Sequence, residues 1–164
     1  MDRRRFLEKA ATVSAAYALP LTVSRGLFAA GMPADLVDLD AIGLSIAIKD
    51  KHTSCVEVMQ AYLQHIHTYN PAYNAIISMV DDDELIDQAR EADQALARGD
   101  YRGWMHGMPH AVKDLLPVAG LRHTDGSPMY ANRIAENDSA LVARLRGEGA
   151  IFIGKTNTPE FGLG

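Results

Sequence analysis

Three short apolar runs constrain this chain more than any other feature: AIISMV at residues 75–80, HAVKDLLPV at 110–118 and AIFI at 150–153. The first and last are rich in β-branched or aromatic residues and are short enough to lie extended in a sheet. The segments between the runs are helical in pattern or long, so tight hairpins do not join them. An α/β fold follows, with a largely parallel or mixed sheet flanked by helices. Three strands are too few to finish such a sheet, so the sheet is expected to be incomplete in this chain.

The helical signals are local and specific. Residues 40–48 form a short helical pattern. Ser54 and Glu57 make a capping box that opens a helix with Val56, Met59, Leu63 and Ile66 on one face, expected to stop before Asn70-Pro71. Asp81-Asp82-Asp83 starts another, with Leu85, Ala89, Ala92 and Leu96 in register and Gly99 at its end. The three carboxylates are read as partners of the helix dipole, because adjacent residues do not converge on one cation. In DSALVARLRGEG, Leu141, Val142 and Leu145 share a face, and Asp138 or Ser139 is the cap.

Immediately afterwards, GAIFIGKT at residues 149–156 matches the phosphate-loop spelling G-x-x-x-x-G-K-[ST]. Its setting is wrong for nucleotide binding. A phosphate loop leads from a strand into a helix whose positive end meets the anion. Here a helix precedes the motif, the variable positions favour a strand, and Asn157-Thr158-Pro159 discourages a helix at the lysine. Nucleotide binding through 149–156 is the least favoured of the functional readings.

Composition narrows function further. With 48% hydrophobic and 23% charged residues the chain has globular make-up, and its net charge of −5 provides no field for nucleic acid or anionic membrane. No nucleic-acid partner is expected. Cys55 has no internal disulfide partner and falls on an apolar helix side as core filler. His65 and His67 point to different sides of a helix, and His106, His110 and His123 have no cysteine partners, so neither metal nor cofactor is expected.

The first thirty residues differ in kind. An arginine cluster is followed by a moderately apolar run from Ala10 to Val23 and then by small residues, the layout of a targeting peptide. Arg3-Arg4-Arg5-Phe6-Leu7 resembles the twin-arginine export signal, which makes the export machinery a partner and the periplasm or the exterior the destination. The division expected is a signal peptide over 1–29, membrane-anchored if uncleaved, and a folded portion over 30–164. Cleavage near Ala29 removes five basic residues and two acidic ones, leaving a more acidic protein.

The segment GMPHAVKDLLPVAGLRHTDGSPMY at residues 107–130 carries the chemistry, because Lys113-Asp114 interrupts an apolar run. Together with residues 131–164, it resembles the amidase signature family in order and spacing. The matching pieces are Gly107-x-Pro109, Ala111-Val112-Lys113-Asp114, Ala119-Gly120, Thr124, Gly126-Ser127, Asp138 through Leu145-Arg146, Gly149-Ala150, Gly154-Lys155-Thr156-Asn157 and Glu160-Phe161. Leu115 and His123 stand where the family more often has polar and threonine residues.

The resemblance implies an amide hydrolase with a Ser-Ser-Lys triad whose lysine is Lys113. In such a mechanism the lysine takes a proton when neutral, a relay serine passes it from the nucleophile, and backbone N–H groups hold the oxyanion. Burial and neighbouring hydrogen bonds are expected to lower Lys113 from about 10.4 toward neutrality, a change worth about 4 kcal/mol. Both family serines belong to a glycine- and serine-rich segment after the Glu160-Phe161 element, so this chain is expected to supply the lysine only and to be inactive alone. Ser127, in a tight-turn composition, does not replace the nucleophile, and Lys155 is read as a structural or loop-ordering residue.

The family includes the glutamine-hydrolysing component of tRNA-dependent amidotransferases, whose substrate stays in the cytoplasm. Export therefore favours small carboxamides or acylated amines as substrates, with a homo-oligomer possible in the complete protein. The competing reading is a truncated, inactive product or a partner-binding protein. Replacing Arg3 and Arg4 by lysine is expected to leave the precursor in the cytoplasm with an unaltered fold, as subcellular fractionation checks.

Overall fold

The computed structural model describes residues 36–164; the targeting peptide expected over 1–29 lies outside the described residues. Helix α1 spans Ala41–Lys49 and α2 spans Cys55–Tyr73. They are followed by β1 (Ile76–Met79), α3 (Asp82–Ala97), β2 (Pro109–Lys113), α4 (Ala140–Gly147) and β3 (Ile151–Thr156). Single 3₁₀ turns lie at Leu36–Asp38, Pro128–Tyr130 and Glu160–Gly162. Among the described residues no helix is long and apolar enough to cross a membrane.

The helix starts follow from their caps. Asp40 accepts the N–H of Gly43, Ser54 that of Glu57, Asp81 that of Asp83 and Ser139 that of Val142. Glu57 completes the capping box by accepting the Ser54 N–H at 2.8 Å, and that bond holds its carboxyl below the ordinary range. A second device at this helix end is tertiary. Asp93, from α3, accepts the N–H groups of Cys55 and Val56 at 2.7 and 3.2 Å, satisfying two further donors at the start of α2.

One helix end departs from expectation. Helix α2 continues through Asn70-Pro71 to Tyr73 and closes on Asn74 in the left-handed conformation, φ 48°. A proline this near a C-terminus removes only one bond of the last turn, and the Asn74 N–H still reaches the Asn70 carbonyl at 2.7 Å. The Asn70 side chain meanwhile bonds both the N–H and the carbonyl of Ile76, each at 2.8 Å, and so ties the helix end to the start of β1.

The sheet is mixed, in the order β1-β3-β2. The largely parallel arrangement is realised only between β2 and β3, for β1 runs antiparallel to β3. Central β3 is buried at every position from Ile151 to Lys155. Helices α2 and α3 pack against the sheet through Val58, Met59, Leu63, Leu85 and Ala89, with α4 adding Val142. Leu141, expected on the inner face of α4, is 51% exposed, because that short helix buries a stripe centred on Val142.

Cys55 and His106 are structural. Burial first, then the Asp93 carboxylate, pushes the Cys55 thiol up to about 12. His106 accepts the Arg102 N–H at Nδ1, and its Nε2 lies 2.9 Å from the Ala92 carbonyl. A carbonyl can only accept, so His106 carries its proton on Nε2.

Gly154 is where strands β1 and β3 approach closely. Its φ is +153°, and a Cβ there would stand 2.4 Å from the Ser78 carbonyl oxygen. Replacing Gly154 by alanine is therefore expected to destabilise the fold by about 3 kcal/mol, read from the midpoint of urea unfolding.

Candidate active site

Strands β2 and β3 run parallel, with Lys113 opposite Thr156, so their carboxyl ends reach the same edge of the sheet. In open α/β sheets this edge is where ligands bind. Strand alternation then separates the adjacent pair Lys113-Asp114. Lys113 faces outward and is exposed, with Nζ 3.5 Å from the Asn157 carbonyl oxygen, whereas Asp114 turns inward and is fully buried.

The burial expected of Lys113 is found instead at Lys155. That residue sits on the central strand with both faces covered, and its ammonium is 3.1 Å from Asp114 Oδ1 while donating to the Leu116 carbonyl at 2.6 Å. Desolvation lowers the Lys155 amine from its ordinary value, opposed by the Asp114 carboxylate. Desolvation also pushes the Asp114 carboxyl up. The Thr124 side chain, Lys155 and the Thr124 backbone outweigh it and hold that carboxyl below the ordinary range. Thr124 supplies both its N–H, at 3.1 Å, and its hydroxyl, at 2.5 Å, to Asp114 Oδ2.

GAIFIGKT is thus a strand preceded by a tight turn, and its lysine is committed to the protein interior. The phosphate-loop spelling has no loop behind it.

Beside Lys113, two loops close on one another. Asp125 (φ 52°) and Gly126 (φ +69°) form a left-handed corner, at which a Cβ on Gly126 would stand 2.7 Å from the Thr158 carbonyl oxygen. Ser127 is 2% exposed and donates its hydroxyl to Glu160 Oε1 at 2.7 Å. A serine so engaged is a latch between the loops. Together they border a cavity of about 290 Å³ with Ser78, Thr124, Asn157 and Thr158 on its wall.

His123 lies between two carboxylates, with Nδ1 3.6 Å from Asp114 Oδ1 and Nε2 3.4 Å from Asp125 Oδ1. Arg133 balances Asp125 at 2.5 Å and stacks on the Tyr130 ring. Asp114 is the residue that sequence reasoning missed as a partner of Lys155. The signal was present: a lysine at the end of the apolar run 150–153, on a strand buried from Ile151 to Lys155, requires a counter-charge.

Removing one partner of a buried pair leaves the other charge uncompensated. Lys155→Met is expected to lose about 3–5 kcal/mol, and the double variant with Asp114→Asn markedly less, by urea denaturation. The depressed Asp114 carboxyl stabilises the fold above its unfolded pKa, and this contribution is lost as pH falls through the lower folded value. Stability is therefore expected to fall on acidification, more weakly in Asp114→Asn.

Comparison with known proteins accords with this layout. The family model described as Amidase matches residues 57–164. An acylamidase of Rhodococcus erythropolis is 36% identical over 124 residues, 76% of this chain and 26% of its own length. A glutamyl-tRNA(Gln) amidotransferase subunit of Carboxydothermus hydrogenoformans is 37% identical over 130 residues, 79% of this chain and 27% of its own. The native peptide amidase of Stenotrophomonas maltophilia superposes with a TM-score of 0.71 at 30% identity, covering 79% of this chain and 26% of that one. The chain spans about a quarter of the length of these relatives. On the family match and the shared fold, it belongs to the amidase signature family.

Proposed function

We propose that this chain is the lysine-bearing portion of an amide hydrolase, and that Lys113 is the proton acceptor of its Ser-Ser-Lys mechanism. The observation that carries the reading is the contrast between its two strand lysines. Lys155 is buried and paired with a carboxylate, whereas Lys113 has no carboxylate within ion-pair distance among the described residues and projects from the edge where β2 and β3 end. A neighbouring carboxylate would hold the proton on the amine and unfit it as a base. Of the two, only Lys113 stands exposed at that edge, where a reacting group can reach it.

The chemistry is an acyl transfer to serine and then to water. An unprotonated Lys113 accepts the proton that the relay serine takes from the nucleophile, and returns it by the same path to the departing amine. Asp114, Thr124 and Lys155 touch none of the reacting atoms in this scheme. The acylamidase and peptide-amidase relatives support small carboxamides or acylated amines as substrates, and the amidotransferase relative, itself one subunit, shows that related chains also serve a larger assembly. Export by the twin-arginine route, proposed on Arg3 and Arg4, favours the first of these.

In a protein that carries both family serines, Lys113→Ala is expected to lower amide turnover by about 10²–10⁴-fold with little change in KM, because proton transfer is a transition-state contribution. Lys155→Ala is expected to lower the chemical step much less. Steady-state kinetics on a simple carboxamide check both, and wild-type turnover in Lys113→Ala would refute the assigned role.

A further inference from the structure

We infer that Asp114, Lys155 and Thr124 are positioning residues that seat Lys113 at the sheet edge, an inference resting on the reading of Lys113 as the base. The linkage is continuous in the structure. Lys155 Nζ donates to the Leu116 carbonyl at 2.6 Å, and the Leu116 N–H donates back to the Lys113 carbonyl at 3.0 Å. The turn beyond Lys113 is therefore closed on the Lys113 backbone and pinned from beneath by the Lys155 ammonium.

Asp114 holds the other side. Its N–H continues the parallel ladder to the Thr156 carbonyl at 3.1 Å, and its carboxylate receives the N–H and hydroxyl of Thr124 besides the ion pair. The Thr124 hydroxyl in turn accepts the Gly126 N–H at 3.0 Å. One buried carboxylate thus ties the base-bearing strand end to the corner that carries the Ser127–Glu160 latch.

Stability alone does not account for this arrangement. Well-packed apolar residues of similar volume often serve a core as well as a buried ion pair does. What an apolar pair lacks is direction, because it bonds neither the Leu116 carbonyl nor the Thr124 N–H. Placement of a reacting group to within about 0.5 Å depends on such directional support.

The test uses a protein carrying both family serines, with the variants Asp114→Asn, Lys155→Met, Lys155→Arg and Thr124→Val. Far-UV circular dichroism measures the folded fraction, to which rates on a small carboxamide are normalised. Asp114→Asn and Lys155→Met are expected to reduce kcat about tenfold or more with KM within about twofold. Thr124→Val is expected to reduce kcat several-fold, and Lys155→Arg to recover part of the Lys155→Met loss. Each damaging variant should also displace the limb of the kcat/KM pH profile that Lys113→Ala abolishes, which a purely structural loss of folded protein does not do.

Folded variants with wild-type kcat and an unmoved profile overturn the inference. If Asp114→Asn and Lys155→Met do not fold, Thr124→Val decides alone by the same criteria. Wild-type turnover in Lys113→Ala overturns the base reading and the clamp with it. An inactive Lys113→Ala beside unaffected clamp variants overturns the clamp only.

Discussion

The ion pair between Asp114 and Lys155 organises everything around it. An ammonium with both faces of its strand covered is among the least tolerable groups a core can contain, and without a counter-charge it would lose its proton or expel its strand. The carboxylate that answers it comes from the residue after β2 ends. Meeting that need draws the turn at 114–116 under the sheet, and the remaining capacity of the two groups is taken by the Leu116 carbonyl and by Thr124. A requirement of electrostatics has become a constraint on backbone.

The same constraint distinguishes two lysines on neighbouring strands. Lys155 lies opposite Val112, one position before Lys113, yet strand alternation sends the two ammonium groups to different environments. The inner lysine has a carboxylate and a carbonyl; the outer one, among the described residues, reaches the Asn157 carbonyl at 3.5 Å. Partner and exposure together set the two apart. Burial, expected of Lys113, falls on Lys155 instead.

The helical layer has its own long-range attachments. Asp93 caps a helix that begins 38 residues earlier in the chain, and Asn70 acts as a stand-in strand partner for Ile76. Gly107 has φ +73°, and a Cβ there would stand 2.2 Å from the Cys55 sulfur, so the start of α2 and the approach to β2 are in direct contact. These contacts hold the first half of the folded portion against the strand pair that presents Lys113.

Much of this was legible in local pattern. The three strands, the capping box at Ser54-Glu57, the aspartate-led start of α3 and the failure of GAIFIGKT as a phosphate loop all depend on residues within a few positions of one another, where propensity and periodicity act directly. The order and spacing of the Gly107–Phe161 pieces likewise sufficed to indicate the family. Tertiary structure alone decided that Asp114 pairs with Lys155, that Lys113 is exposed, that β1 runs antiparallel to β3 and that α2 passes through Pro71. Each of those outcomes turns on which distant groups meet, and a buried charge or an unpaired peptide group is satisfied by whatever partner the fold brings within about 3 Å, wherever that partner lies along the chain.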